Sequence, residues 1–294
     1  MAIKIISNRT LVTKKVVGPV LAVATLTVLS LVALTMPAVF ATTTGSTTQV
    51  IRPGSMAGWS GVDDNGRGPQ WSPQVTCAVQ LLVKAANKGY MFGMAGYAGL
   101  KLADLTQFSY STYIQQGNSL VAPSVQINVT PDVDNGATAW YGRLVYEPYM
   151  SGNGTVRDGQ WQTWSATDGK WWLSKPAAFE GKCAQDSPCT ISEMVAAFPN
   201  IGVNRAYPGV GFKAGSGWEN FVGNVDNVRI VTNTMDTTYD FEGPEIVAHN
   251  ASQNRDYSDL NTAISEASAG EVIKLTKDIT LVQQVNVTKQ LTID

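Results

Sequence analysis

The chain has 294 residues, of which 15% are charged, and its formal net charge is −2. This acidic balance, with Lys and Arg scattered along the chain, excludes the basic surface that nucleic-acid binding requires. The lone histidine, His249, leaves no Cys/His metal site. Abundant Gly, Thr, Asn and aromatic residues are typical of many short strands joined by turns, and they argue against a helical bundle.

The N-terminus is laid out as an export signal. Cations precede an apolar run over residues 16–34, and residues 39–41 have the small-x-small form that a signal peptidase accepts. We therefore predict a signal peptide over residues 1–41 and a secreted or cell-surface protein with no membrane span after cleavage. The alternative is an uncleaved anchor, because about 19 apolar residues can just cross a bilayer.

Short β-type runs fill the middle of the chain. Residues 42–49 form a Thr/Ser/Gly linker, and turn residues then separate one run from the next. Asn-Gly at 135–136 predicts one hairpin, and Asp-Gly at 158–159 and at 168–169 predicts a second hairpin between the runs that flank residues 166–169. The predicted strands cover residues 75–83, 90–97, 108–114, 125–129, 138–146, 160–165, 170–174, 211–213 and 221–231.

Two further local features lie in this middle region. Residues 191–198 are predicted to form a short helix, because Thr190 is followed three residues later by Glu193 in a capping box. Cys183 and Cys189 flank a short polar loop with turn formers, which predicts a local disulfide in an oxidising compartment. The third cysteine, at position 77 in an apolar run, is predicted to be a buried thiol.

The pattern over residues 50–245 resembles a secreted jelly-roll module of the concanavalin A-like lectin/glucanase type of bacterial surface proteins. The resemblance implies an antiparallel β-sandwich. The paired-acid run Glu-x-Asp-x-Glu of related glucanases is absent, so it implies a binding or structural module rather than a hydrolase. The segments that carry it are residues 97–113, 122–129, 144–149, 161–172, 217–230 (GWENFVGNVDNVRI) and 238–242.

Residues 246–294 have a different character. Ser258 is a predicted helix cap, and apolar residues then recur at helical spacing until Gly270. Short strands are predicted over residues 272–275, 279–281, 284–287 and 291–293. The segment resembles the capping helix and first coils of a pectin-lyase-type right-handed parallel β-helix, which needs more stacked coils than it contains. The alternative is a small extension packed on the sandwich.

Aromatic residues supply the candidate ligand site. Trp171 and Trp172 are adjacent in a predicted strand, so they point to opposite faces and one of them lies outside the core. Aromatic rings on an outer face can stack on the apolar faces of sugars. The alternative for each ring is packing in the core or at an edge. The predicted polysaccharide-binding set is Trp161, Trp164, Trp171, Trp172, Tyr146 and Glu147.

Acidic turns supply a candidate metal site. Asp132, Asp134 and Asn135 space oxygen ligands as calcium loops do, and residues 63–66 offer a second cluster. The alternative is that these residues form tight turns without metal, as Asx residues commonly do. No other cofactor is predicted. Asp226 is predicted to be structural, with its carboxylate accepting from nearby backbone N–H groups.

The sequence predicts no catalytic site. Glycoside hydrolysis needs two carboxylates about 5–10 Å apart, and Glu147 with Asp132 or Asp134 is the one cluster to nominate. Three hypotheses follow. The first is a non-catalytic polysaccharide-binding or adhesion module. The second is a lyase or hydrolase whose catalytic β-helix coils lie beyond this sequence. The third is a structural surface spacer.

Overall fold

The computed structural model describes residues 45–63, 70–71, 78–85, 87–117, 120–206, 209–215, 217–281 and 284–294. The predicted signal peptide, the predicted thiol at position 77 and residues 64–66 of the second acidic turn lie outside them. In the sandwich region the strands are β1 (Thr47–Ile51), β2 (Trp59–Asp63), β3 (Gln70–Trp71), β4 (Val79–Val83), β5 (Tyr90–Met94), β6 (Leu105–Gln116), β7 (Ser124–Thr130), β8 (Arg143–Tyr146), β9 (Trp161–Ser165), β10 (Trp172–Leu173), β11 (Gly202–Val203), β12 (Val210–Ala214), β13 (Phe221–Thr232) and β14 (Asp236–Phe241).

These strands form two sheets, an arrangement compatible with a jelly roll. The first sheet has the order β1-β14-β13-β4-β3, with β6 beside β13 and β9 beside β6. The second sheet has the order β10-β8-β7-β12-β5-β2, with β11 beside β7. The pairings are antiparallel except for β1 with β14. The prediction of a mainly β protein with antiparallel sheets is therefore confirmed.

An aromatic core lies between the two sheets. Strands such as β4 and β14 alternate buried and half-buried residues, so each contributes one apolar face. The Trp59 ring lies 5.3 Å from Phe92 of the second sheet and 5.1 Å from Phe241 of the first, measured between ring centroids. Burial of each such ring contributes about 1.5–3 kcal/mol. These rings hold the two sheets face to face.

A β-bulge at Asp226 and Asn227 divides the long strand β13. One side of β13 pairs with β4 before the bulge and with β14 after it. Asn227 adopts a left-handed φ of 50°. The Asp226 carboxylate accepts a hydrogen bond of 2.9 Å from the Phe241 backbone N–H. The structural role predicted for Asp226 is confirmed.

The second predicted hairpin is wrong. β9 pairs with β6 in the first sheet, whereas β10 pairs with β8 in the second. A 3-10 turn over Ala166–Asp168 connects them, and Trp171 lies fully buried after it, donating its Nε1–H to the Ala166 carbonyl at 2.8 Å. The local Asp-Gly turns therefore carry the chain from one sheet to the other.

The first predicted hairpin has the correct pair of strands, but its second strand is shorter than predicted. β7 and β8 are antiparallel partners, as predicted. The predicted strand over residues 138–146 is too long, because only β8 is strand and residues 131–142 form an irregular connection. A two-residue hairpin at Asn135-Gly136 is therefore absent.

The local helix and disulfide predictions are confirmed. Helix α1 (Ile191–Ala197) has the capping box, with the Thr190 hydroxyl accepting from the Glu193 N–H and the Glu193 carboxylate accepting from the Thr190 N–H. Cys183 and Cys189 form a disulfide.

Residues 246–294 have their own small hydrophobic cluster, separate from the sandwich core. The elements are β15 (Ala248–Asn250), β16 (Arg255–Tyr257), helix α2 (Leu260–Glu266), β17 (Val272–Leu275) and β18 (Thr292–Ile293), and the strand order is β16-β15-β17-β18. No helix in the described part of the chain is long and apolar enough to cross a membrane.

Several details of the C-terminal prediction need correction. Asp259 rather than Ser258 caps α2, accepting from the Thr262 N–H at 2.7 Å, and the helix ends four residues before Gly270. The strands predicted over residues 279–281 and 284–287 are not strands. No strand pairs with these residues in the described structure; Ile279 and Val285 pack against the small cluster, and the others are exposed.

Candidate functional site

Two of the predicted site residues, Trp172 and Glu147, lie on the outer face of the second sheet. We define it as the side chains of β7, β8, β10 and β12 that point away from the core. Trp172 lies opposite Val145, Val145 opposite Gln126, and Gln126 opposite Gly211, so these four positions share one row. Their chain neighbours point into the core, because side chains alternate along a strand.

Trp172 lies in the Gln126 row on the edge strand β10, and its indole reaches Glu147 at the Ser124 end of this outer face. The Trp172 Nε1–H donates to Glu147 Oε2 at 2.9 Å, and the Tyr149 hydroxyl reaches the same oxygen at 3.4 Å. Burial raises the pKa of Glu147, while these hydrogen bonds and the Lys213 charge act in the opposite direction. Tyr149 is 46% exposed, so an aromatic ring and a held carboxylate face outward together.

Gln126 occupies the middle of the outer face. It is only 8% exposed although it points away from the core. Its Nε2–H donates to the Ser124 hydroxyl at 3.5 Å, but its Oε1 is buried and has no hydrogen-bond partner. A buried polar atom without a partner costs about 1–3 kcal/mol. A ligand that donates a hydrogen bond to Oε1 would recover that cost.

Trp140 lies at the other end of the outer face. Its Nε1–H donates to Asn128 Oδ1 at 3.3 Å, and the ring is 41% exposed. The Lys175 ammonium lies 3.9 Å from the ring centroid, and the Arg143 guanidinium carbon lies 6.0 Å from it. Cations at these distances are attracted by the ring quadrupole.

Only part of the predicted aromatic set lies on this face. Trp171, Trp164 and Tyr146 are buried in the core, with exposures of 0–2%. Trp161 is 42% exposed, but β9 places it on the outer face of the first sheet, where its ring lies 5.7 Å from Tyr113. Trp172 and Glu147 are thus the two predicted residues that meet.

Sequence reasoning missed Trp140, Gln126, Arg143 and Lys175. The polar positions of β7 were visible as the alternate residues of a Val/Ile strand. What the sequence could not show is that Trp140, in an irregular connection, folds back to Asn128. Long-range contact, not residue type, assembles this end of the site.

The predicted calcium loop is engaged in other contacts. Asp132 Oδ1 accepts from the Asp134 N–H at 2.9 Å, and Asn135 Oδ1 accepts from the Ala137 N–H at 2.8 Å. The Lys101 ammonium lies 2.6 Å from Asp134 Oδ2. These are the contacts of the turn-forming alternative. Across the described residues, no three His, Cys, Asp or Glu side chains group as metal ligands would.

The nominated pair of acids does not converge. Glu147 follows β8 at the Ser124 end of β7, whereas Asp132 and Asp134 follow the Thr130 end. Six residues of strand separate those two ends, about 20 Å. That separation is well beyond the 5–10 Å of a glycosidase pair.

A cavity of about 620 Å³ lies in the C-terminal region, away from this face. Its lining includes Leu260, Ile279, Lys277 and Asp278, with the helix cap Asp259 at its edge. The lining presents no unpaired buried polar atom among those described. We therefore assign the candidate site to the outer face of the second sheet.

No protein-family model and no curated protein matches the sequence. Among solved structures, the chain is similar to the family 11 carbohydrate-binding module of the cellulosomal cellulase Lic26A-Cel5E of Clostridium thermocellum. The TM-score is 0.34 and the identity 11%, over 60% of this chain and 88% of that one. So slight a likeness carries neither a ligand nor binding residues across to this chain.

Proposed function

We propose that this protein is an exported, non-catalytic module that binds polysaccharide on the outer face of its second sheet. The observation that carries the proposal is the buried, unpaired Oε1 of Gln126 on a face with Trp172 at one end and Trp140 at the other. Sugars offer apolar C–H faces to aromatic rings and hydroxyl groups to polar atoms, which this combination fits.

The size of the face suits an extended ligand. Ser124 and Asn128, which mark its two ends along β7, are four residues apart, about 13 Å. The one outward position of β7 between them, Gln126, is also polar. An extended chain could therefore contact both aromatic ends at once.

Export is supported by two features. The first is the cation-plus-apolar layout of residues 1–41 with its small-x-small site. The second is the disulfide between Cys183 and Cys189, because disulfides persist mainly in oxidising compartments. Mass spectrometry of the protein recovered from the culture medium would test this part, and a chain retaining residue 1 inside the cell would contradict it.

The ligand face is tested by two matched tryptophan variants. We expect Trp172→Ala to weaken binding in affinity electrophoresis against a panel of neutral and acidic polysaccharides. Loss of an aromatic ring that contacts the ligand costs about 2 kcal/mol, roughly 30-fold. Trp161→Ala removes an exposed ring from the outer face of the other sheet and should leave binding unchanged. Equal losses in both variants, or no binding to any polymer by the parent protein, would contradict the proposal.

We further propose that residues 246–294 begin a parallel β-helix. β17 and β18 pair in parallel, with Val272 opposite Thr292 and Ile273 opposite Ile293. β18 follows β17 along the chain and lies beside it in the same direction, as successive coils of a parallel β-helix do. A solved structure of a longer chain in which β18 pairs with no further parallel strand would count against it.

A further inference from the structure

The charged side chains of the outer face are divided between its two ends. Glu147 and Lys213 lie near the Trp172 end, and their charges act on each other. Arg143 and Lys175 lie beside Trp140 at the other end. Among the described residues, neither of these two cations has an ion pair with a carboxylate. The Trp140 end therefore carries two cations that pair with no carboxylate in the described chain, since Asp134, at the same end of β7, is paired with Lys101.

Arg143 is the more unusual of the two cations. Its Nε is buried without a hydrogen-bond partner, and burial lowers the pKa of its guanidinium with no charged group opposing that effect. A charge that is withdrawn from water is normally paired, because its desolvation is otherwise uncompensated. Arg143 as a whole is half-buried, and its Nε is the part of the guanidinium that is buried without a partner.

Arg229, in contrast, has hydrogen-bond acceptors for the donors of its guanidinium. Its Nε and Nη2 donate to the two carboxylate oxygens of Asp236 at 3.0 and 2.8 Å, and its Nη1 donates to Gln107 at 3.1 Å. The corresponding Nε edge of Arg143 has no such acceptor. The edge formed by Nε and a neighbouring Nη matches two oxygens of a carboxylate or a sulfate.

Lys175 adds to this positive end. Its ammonium and the Arg143 guanidinium lie within 6.0 Å of the centroid of the same Trp140 ring. Two like charges near one point disfavour each other unless an anion joins them. Lys175 is exposed, so a ligand can reach it from solvent.

We infer that the Trp140, Arg143 and Lys175 cluster is a subsite for an anionic substituent of the bound sugar, so the ligand is an acidic polysaccharide. This inference rests on the proposed function. The anionic group, a carboxylate or a sulfate ester, pairs with the Arg143 guanidinium, and the Lys175 ammonium on the same Trp140 ring adds a second positive charge beside it. The adjoining sugar ring lies against the exposed part of Trp140.

The test compares polymers that differ in charge on one backbone. Binding is measured by isothermal titration calorimetry to polygalacturonate and to the same polymer fully methyl-esterified, and to dextran sulfate and unmodified dextran. We expect the parent protein to bind at least one charged polymer about tenfold or more tightly than its neutral counterpart. The first pair reports a carboxylate and the second a sulfate. Binding should also weaken between low and physiological salt, since exposed charges are screened.

Three variants connect the charge preference to the cluster. Arg143→Gln and Lys175→Gln should each lower affinity for the preferred charged polymer about fivefold or more, with little change for its neutral counterpart. Lys175 is exposed, so Lys175→Gln should fold normally even if Arg143→Gln disturbs the sheet. Arg157→Gln, at an exposed arginine before β9, is the matched control and should bind as the parent does.

The outcomes separate this inference from the proposed function. Equal affinity for charged and neutral polymers would overturn the anionic subsite and leave polysaccharide binding intact. A charge preference that Arg143→Gln and Lys175→Gln do not reduce would also overturn it. Failure to bind any polysaccharide, charged or neutral, would overturn both.

Discussion

The outer faces of the two sheets are built differently. On the first sheet, Arg229 is held by Asp236 and Gln107, and the Ser111 and Thr163 hydroxyls bond each other at 2.8 Å. On the second sheet, Gln126 Oε1 and Arg143 Nε are buried and unpaired. Each face has one buried, unpaired amide oxygen, since Asn224 Oδ1 of β13 is in the same state as Gln126 Oε1, but only the second face also has a buried arginine Nε without a partner.

The largest expected effect is the difference in unfolding free energy between removing a core tryptophan and removing its neighbour on the outer face of the second sheet. Trp171→Ala removes a fully buried ring and should cost about 3–5 kcal/mol of unfolding free energy. Trp172→Ala, one residue on, should cost much less, because its half-buried ring is not part of the core. Urea denaturation measures both. Equal destabilisation would mean that Trp172 is a packing residue and that this face is structural.

A pH effect is expected from the first sheet. Burial raises the pKa of Asp226 to about 7, whereas an exposed aspartate has a pKa near 3.8. Since the folded state then binds the proton more tightly than the unfolded state, stability should fall as pH rises from about 4 to about 7, by roughly 2–4 kcal/mol.

Asp226→Asn is the matched control for that effect. Asparagine keeps an oxygen that can accept from the Phe241 N–H but does not titrate. The difference in unfolding free energy between variant and parent should therefore grow in the variant's favour as pH rises through this window. A difference that stays constant with pH would show that Asp226 has an ordinary pKa.

The two arginines provide the next comparison. Arg229→Gln leaves Asp236 without its bidentate partner, so we expect the melting temperature to fall by a few degrees. Arg143→Gln breaks no ion pair and should leave the melting temperature unchanged or slightly higher. Differential scanning calorimetry distinguishes the two. A larger fall for Arg143→Gln would remove the contrast between the faces.

The smallest expected effect is a gain in stability. Gln126→Met has a similar length and removes the unpaired amide oxygen, so unfolding free energy should rise by up to about 1 kcal/mol. The same variant should bind polysaccharide less tightly than the parent. A variant that is less stable and binds normally would show that Gln126 serves the fold rather than the ligand.

Local features of the molecule followed from the sequence alone. The Thr190–Glu193 capping box, the Cys183–Cys189 disulfide and the alternation of β7 depend on residues within a few positions of each other. The opposite orientations of Trp171 and Trp172 followed in the same way, because adjacent strand residues point to opposite faces. Interactions of this range are set by spacing, so the sequence determines them.

Tertiary structure decided the partners of each strand and therefore the membership of the site. β9 pairs with β6, about fifty residues earlier, and not with β10. This pairing places Trp161 on the first sheet. Trp140 reaches Asn128 from an irregular connection, and no carboxylate among the described residues forms an ion pair with Arg143. Pairing over such separations depends on how the whole core packs, and no local spacing encodes it.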